Sequence, residues 1–395
     1  MQRNHNFSKL SERYLFLETK RRAELYLEKH SCAKLISLSV GNTSEPLPQE
    51  IAKALSKAAE QLGTLSGYIG YGPEQGIPPL REAIAKMLYD HQGGYCVKGC
   101  DIFVSDGAKC DIGRLQLLFG SKVSAIIQNP GYPVYTDGSK LQGVDEIISV
   151  ACIPENQFCP DWNGVKRGDL IYWCSPNNPT GAVSTHKQLR QLVDFAKKNR
   201  SIIIFDAAYA GYIKDKSLPR TIYEIEGAEE VALELNSFSK LAGFTGVRLG
   251  WTVVPSTLKY DDGSLVRDDW LRLMTTVFNG ASNIAQLGAL SILTEEGMQS
   301  ISRIIDIYMN NAKLIKETLV QKGYEVYGGD NAPYLWVKLH QMSSWEAFDL
   351  FLEKAHLITT PGIGFGQCGE GFLRLSAFNH KSTNEEAVLR LKRSF

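Results

Sequence analysis

Apolar positions recur every three or four residues over 49–62, beginning Gln49-Glu50-Ile51-Ala52-Lys53-Ala54-Leu55, and again over 79–91. That spacing predicts two amphipathic helices. Beyond them the pattern shortens. Asp101-Ile102-Phe103-Val104, Val123-Ser124-Ala125-Ile126-Ile127, Glu146-Ile147-Ile148-Ser149-Val150, Leu170-Ile171-Tyr172-Trp173, Ser201-Ile202-Ile203-Ile204-Phe205-Asp206 and Val231-Ala232-Leu233-Glu234-Leu235 are strand-like runs. Gly, Pro and Asn clusters, or helix-period segments such as 186–199, separate them. The alternation predicts an α/β fold with a mostly parallel sheet flanked by helices on both faces. A long helical stretch over roughly 283–321 then opens a second pattern: strands at 323–327 and 334–339, a helix at 344–355, strands at 357–361 and 371–376, and a terminal helix. This predicts a smaller α+β domain. The expected organisation is an N-terminal segment (1–44) whose helix, near 9–30, packs with the small domain, a large domain (45–290) and the small domain (291–395).

The chain has 395 residues, 44% hydrophobic and 22% charged, with 43 Lys+Arg against 43 Asp+Glu. That length suits two or three lobes with ample core. Zero net charge argues against nucleic-acid binding, which draws on a basic excess. The stretch Met1 to Lys9 lacks the apolar core of a signal peptide, and no run approaches a membrane span, so a cytoplasmic protein with no membrane contact is expected. The eight cysteines are scattered, and Cys96 and Cys100 lack a second Cys/His pair, so neither a disulfide framework nor a metal site is expected.

In doubly wound sheets, ligands sit at the carboxyl ends of the strands. The chemistry-bearing residues of this chain follow its strands. Ser237-Phe238-Ser239-Lys240 leads through a glycine-bearing turn to Gly246-Val247-Arg248. Hydroxyls and an arginine fork suit a phosphate monoester, and a lysine beside that phosphate can form a Schiff base with an aldehyde. Together they describe a pyridoxal phosphate site. Asp206, at the end of its strand, would keep a pyridine nitrogen protonated; taken alone it serves equally well as a helix cap. Tyr209, three residues on, would donate to the ring's phenolic oxygen. Ser175-Pro176-Asn177-Asn178-Pro179-Thr180-Gly181 is a fixed turn that aims an amide, Asn178, at a ligand oxygen. Ser105-Asp106-Gly107-Ala108-Lys109 lies between a strand and a helix, where free N–H groups bind anions. Asn129-Pro130-Gly131-Tyr132-Pro133 offers a ring for stacking, although Tyr132 by itself suits a core position. Arg374, inside the apolar run Phe372-Leu373-Arg374-Leu375-Ser376, calls for a carboxylate, from a substrate or from an internal pair.

From about Leu38 to Ser376 these motifs, in this order, resemble fold-type I pyridoxal phosphate enzymes of the aspartate aminotransferase superfamily. Gly70-Tyr71-Gly72-Pro73-Glu74-Gln75-Gly76, Gly107-Ala108-Lys109-Cys110-Asp111, Leu235 to Lys240 and Thr276 to Asn283 are similar to the group acting on LL-diaminopimelate. That group interconverts tetrahydrodipicolinate plus L-glutamate and LL-2,6-diaminopimelate plus 2-oxoglutarate, a step of lysine and cell-wall precursor synthesis. The resemblance implies the following roles. Lys240 would carry pyridoxal 5'-phosphate and shuttle the proton, and Asp206 would pair with the pyridine nitrogen. Asn178 and Tyr209 would bond the phenolic oxygen, and Tyr132 would stack on the ring. Ala108 and Lys109 (backbone), Ser237, Ser239 and Arg248 would hold the phosphate. Tyr71 would reach the cofactor of a neighbouring subunit, implying a homodimer with shared sites. Arg374 would grip the substrate α-carboxylate with Gly41 and Asn279 beside it, Asn279 also bordering the cofactor. Tyr14 and the Lys109 side chain would recognise the distal end, and Glu74, judged from its charge, would meet the distal ammonium.

Gly364-Phe365-Gly366-Gln367-Cys368-Gly369 matches the dinucleotide fingerprint, but another strand follows it where a helix is required, so a dehydrogenase is rejected. Two alternatives remain at this stage: a related enzyme with another amino donor or lyase-type chemistry, and a non-enzymatic ligand sensor. The sensor would need a DNA-binding domain, and the roughly 40 residues ahead of the main body carry no helix-turn-helix pattern.

Overall fold

The computed structural model describes residues 1–10, 14–90 and 93–395. All six expected strands of the large lobe form, and a seventh joins them. The order across the sheet is Ile102–Ser105, Gly250–Val253, Ala232–Ser237, Ile202–Asp206, Leu170–Cys174, Ser124–Asn129, Glu146–Ala151. Every pairing is parallel except those of Gly250–Val253, which runs against both neighbours. This seventh strand was absent from the sequence reading because no crossover helix announces it. The chain simply turns back after the lysine–arginine segment. Helices Ala108–Phe119, Pro133–Gln142 and His186–Asn199 make the crossovers.

The inner strands are apolar on both faces because both faces are covered, whereas the edge strand Glu146–Ala151 is largely exposed. Ile203 and Phe205 point into one core with Ile171 and Trp173, while Ile204 points into the other with Leu170 and Tyr172. Parallel direction then brings Ser105, Asn129, Cys174, Asp206 and Ser237 to one edge of the sheet.

The second lobe holds the antiparallel strands Thr360–Pro361, Phe372–Ser376, Tyr334–Lys338 and Glu325–Gly328, in that order, with helices Ser344–Ala355 and Lys381–Ser394. The stretch expected as one helix over 283–321 is two, Asn283–Leu290 and Glu295–Gln321. Thr294 starts the second by accepting the Gly297 N–H through its side chain at 3.0 Å, a cap that the apolar spacing did not reveal. This long helix serves both lobes: Ile301, Ile305 and Tyr308 lie in the large core, Ala312, Ile315 and Leu319 in the small one.

The opening helix runs Leu15–Lys29; positions 11–13 of the expected element, and position 91 of the helix expected over 79–91, lie outside the described residues. Arg22 pairs with Asp349 at 2.8 Å and its guanidinium lies 4.1 Å from the Trp345 ring, so the helix packs on the small lobe. His5–Lys9 lies instead on the large lobe, where Asn6 donates to the Leu141 carbonyl and Lys9 pairs with Asp145 at 2.7 Å. The N-terminal segment therefore bridges both lobes.

One carboxyl of the core gives the fold a pH dependence. Glu234 is fully buried; it accepts hydrogen bonds from Tyr89 (2.8 Å), Thr221 (2.5 Å) and the Ile222 N–H (3.1 Å), and burial still pushes it up to about 7. A carboxyl raised in the folded state favours folding fully below its unfolded value, and that contribution is lost as pH rises through the folded one. Glu234 thus costs about 2 kcal/mol of stability between pH 5 and pH 8. Glu234→Gln, whose amide can donate to the Tyr89 oxygen, should flatten that decline. Urea midpoints at the two pH values provide the check, and equal declines in both proteins would contradict it.

Candidate active site

The carboxyl edge of the large sheet, the small lobe and the N-terminal segment enclose a cavity of about 480 Å³. Its wall includes Tyr14, Gly41, Ala108, Lys109, Tyr132, Asn178, Asp206, Tyr209, Ser237, Ser239, Lys240, Arg248 and Arg374, so most of the candidate residues meet there. Three do not. Tyr71 is 88% exposed, Asn279 is exposed and Glu74 is half-buried, and none lines the cavity of its own chain. They share one surface region, because a Cβ on Gly280 would touch the Pro73 carbonyl and the Glu74 Cα at 3.3 and 3.6 Å.

Lys240 sits in the short helix Phe238–Leu241, which Ser237 opens by accepting the Ser239 N–H. Tyr212 donates to the Lys240 carbonyl at 2.9 Å and holds its backbone. The amine has no acid partner among the described residues and donates to the Gly41 carbonyl. Burial, then the cations Arg374 and Arg248, lower its pKa to about 8, so about a tenth is neutral at pH 7, far more than for a free lysine.

Below it lies an anion cradle. Arg248, in the left-handed region at φ 68°, donates to Ser239 Oγ at 2.9 Å and to the Thr245 carbonyl at 3.3 Å. Strain of that kind persists where a site requires it. Two glycines permit the close packing. A Cβ on Gly107 (φ 126°) would fall 2.4 Å from Arg248 Nη2, and one on Gly250 would fall 2.8 Å from the Gly107 Cα. Helix Ala108–Phe119 begins there, with the free N–H ends of its first turn at the cradle.

Asp206 ends its strand 5% exposed, accepting from Tyr135 Oη at 2.7 Å and from the Ala208 N–H at 3.1 Å. No cation pairs with it among the described residues, and burial raises its pKa. The bond from Ala208 shows that it does fix the following turn, while its second oxygen faces Tyr135 and the cavity wall. Tyr209 and Tyr334 share a hydrogen bond of 2.6 Å between their hydroxyls.

Arg374 is 1% exposed and forms no ion pair among the described residues, which leaves the internal pair weighed above without a partner. Nη1 donates to Asn178 Oδ1 at 2.6 Å, Nη2 donates to the Ser39 carbonyl, and Nε has no partner. The rings of Tyr334, Phe365 and Phe16 surround the guanidinium at 4.6, 4.9 and 5.4 Å. Further out, the Lys109 amine stands 5.5 and 5.8 Å from the rings of Tyr14 and Tyr132, whose phenols burial pushes up to about 12.

Tyr334, Tyr135 and Phe16 were not among the candidates. Tyr135 had a signal, since it lies in the first turn of the helix that follows Tyr132, and the two rings meet at 5.9 Å. Tyr334 had none: it opens the continuous apolar run Tyr334-Leu335-Trp336-Val337, where an aromatic residue reads as core.

Two cations without an acid partner among the described residues face one cavity, and an anion cradle lies between the strand ends, so the arrangement could hold two anionic groups. Known proteins resemble this chain over nearly its whole length. The family described as aminotransferase class I and II matches residues 33–391. A chloroplastic protein of Arabidopsis thaliana named LL-diaminopimelate aminotransferase is 52% identical over 404 aligned residues, covering 100% of this chain and 87% of that protein. One of the same name from Protochlamydia amoebophila is 49% identical, covering 99% and 97%. The solved structure of L,L-diaminopimelate aminotransferase from Chlamydomonas reinhardtii superposes with a TM-score of 0.96 at 51% identity, covering 100% and 99%.

Proposed function

Because this chain belongs to the class I and II aminotransferase family, we propose that it is an LL-diaminopimelate aminotransferase, interconverting tetrahydrodipicolinate plus L-glutamate and LL-2,6-diaminopimelate plus 2-oxoglutarate. Relatives of that name at 49–52% identity over the full chain support the substrate. One observation carries the reaction type: Arg374, buried, and Lys240, half-buried with its amine desolvated, face the same cavity, and neither is paired with an acid among the described residues.

The residues present fit pyridoxal phosphate. Ser237, Ser239, Arg248 and the N–H groups of Ala108 and Lys109 would hold the phosphate, Asp206 the ring nitrogen, Asn178 and Tyr209 the phenolic oxygen, and Tyr132 the ring face. Gly107 supports this assignment, since any side chain there would fill the cradle beside Arg248. When bound, the cofactor supplies a protonated pyridine ring that draws off the electron pair left as the substrate α-carbon loses its proton. Lys240 Nζ, already partly neutral near pH 7, takes that proton and returns it. Arg374 would bind the α-carboxylate as a two-point fork, beside Gly41, and so aim the Cα–H toward Lys240. Tyr14 and Lys109 would meet the distal carboxylate. Lys109 is exposed and Tyr14 half-buried, so they select a side chain that ends in a carboxylate, which L-glutamate and LL-diaminopimelate share, over one that lacks it.

Tyr71, Glu74 and Asn279 would complete the cavity of a second copy, making the protein a homodimer with shared sites. Their position away from their own cavity supports this, as do Leu65, Tyr68 and Ile69, exposed on the same loop as Tyr71. Among the described residues no helix is long and apolar enough to cross a membrane. We place the reaction in the cytoplasm.

The test is optical. Protein loaded with pyridoxal phosphate should show a visible band that LL-diaminopimelate, added without any keto acid, converts to that of the aminated cofactor. A band that answers only to another amino acid removes the substrate assignment; absence of a band removes the cofactor. The same preparation should sediment as two chains, and a single-chain species would refute shared sites.

A further inference from the structure

Tyr334 lies in the small-lobe strand Tyr334–Lys338, yet its hydroxyl reaches into the large lobe. The residue is 1% exposed, and among the described residues its hydroxyl bonds only to that of Tyr209, 2.6 Å away. It also presses on Gly41, where a Cβ would overlap the Tyr334 oxygen at 2.0 Å. Its ring lies 4.6 Å from the Arg374 guanidinium carbon. One side chain therefore touches three elements of the cavity wall.

Each phenol has one proton, and the bond between them uses one. If Tyr209 donated to Tyr334, the Tyr334 proton would have no acceptor in a fully buried position, and Tyr209 would turn a lone pair toward the cavity. If Tyr334 donates, both protons are placed: Tyr334's lies on Tyr209, and Tyr209's is left to point at a ligand oxygen. The surroundings favour this second arrangement. The Arg374 guanidinium, 4.6 Å from the Tyr334 ring, can only donate, so it offers the Tyr334 proton no acceptor, and only this arrangement leaves neither buried proton unpaired.

We infer that Tyr334 is a positioning residue for the reaction: its hydroxyl sets the direction of the Tyr209 proton, and its ring seats the Arg374 guanidinium. The inference rests on the function proposed above. It couples the two lobes, because a strand of the small lobe orients a donor that belongs to the large one. A chain of two phenols also donates more strongly than one, since hydrogen bonds in series polarise each other. The phenolic oxygen of bound pyridoxal phosphate then stays ionised more readily, and the attached imine nitrogen binds its proton less tightly.

The test titrates the visible absorbance of pyridoxal-phosphate-loaded protein against pH, without substrate, in wild type, Tyr334→Phe, Tyr334→Leu and Tyr209→Phe. Tyr334→Phe keeps the ring and should raise the midpoint by about 0.5 pH unit, less than Tyr209→Phe does. It should lower kcat about threefold to tenfold with KM for the amino acid nearly unchanged. Tyr334→Leu should in addition raise KM by about tenfold, as the cation–π contact is lost. A merely structural role would leave the midpoint of Tyr334→Phe at the wild-type value while Tyr209→Phe moves it, and that result overturns the inference. A wild type without a visible band overturns the proposed function, and this inference with it.

Discussion

Lys240→Ala should lower kcat by about 10⁴-fold or more, because one side chain both anchors the cofactor and moves the α-proton. Lys240→Arg is the sharper variant. It keeps length and positive charge, but a guanidinium does not release its proton at accessible pH, so it should remain as inactive as alanine. The fold should survive either change. The amine is buried without an acid, donating only to the Gly41 carbonyl, so its removal relieves desolvation and breaks no ion pair. Thermal unfolding by circular dichroism should therefore match or exceed wild type while 2-oxoglutarate-coupled turnover disappears. Retention of more than about 1% of kcat in Lys240→Arg would remove Lys240 as the proton carrier. The cofactor-free protein gives a separate check: its uptake of pyridoxal phosphate should slow as pH drops below the amine's value of about 8, since only the neutral amine attacks the aldehyde.

Arg374→Ala should lower kcat/KM for LL-diaminopimelate by about 10²–10³-fold, mainly through KM, by leaving the substrate carboxylate buried without its cation. Arg374→Lys should recover little. The guanidinium is held as a flat fork, with Nη1 on Asn178, Nη2 on the Ser39 carbonyl and aromatic rings on its faces, and an ammonium reproduces neither the fork nor the stacking. Arg374→Met should stabilise the ligand-free protein toward urea, since a buried cation without an acid is replaced by an apolar chain of similar length. Catalysis and stability should thus move in opposite directions at this residue. Unchanged KM in Arg374→Ala would show that the carboxylate is held elsewhere.

Much of the fold was legible because the period of the apolar pattern is local. Six strands of the large sheet could be read from runs such as Ile202-Ile203-Ile204-Phe205, which are apolar throughout because both faces are buried. Strand Gly250–Val253 escaped. It is four residues long, it returns antiparallel, and its first residue, Gly250, carries no side chain so that the backbone of Gly107 can approach. The break before Glu295 escaped too, because a capping hydroxyl barely disturbs helical spacing.

The amino-acid sequence by itself determined the parallel sheet and the placement of Ser105, Cys174, Asp206 and Ser237 at its carboxyl edge, since strand direction follows from the alternation of strands and helices. It also determined the lysine–arginine segment, where the chemistry is written within a dozen residues. Only the tertiary structure decided that Arg374 has no acid partner, that Tyr334 meets Tyr209 and that Tyr135 meets Asp206. It alone decided that Glu74 and Asn279 lie outside the wall of their own cavity, as was expected only of Tyr71. The physical reason is range. Periodicity records which way a side chain points from its own element, whereas Lys240 and Gly41 are 199 positions apart, Asn178 and Arg374 are 196, and Tyr209 and Tyr334 are 125. Contacts of that span arise only when the whole chain has folded back on itself, and no local pattern carries them.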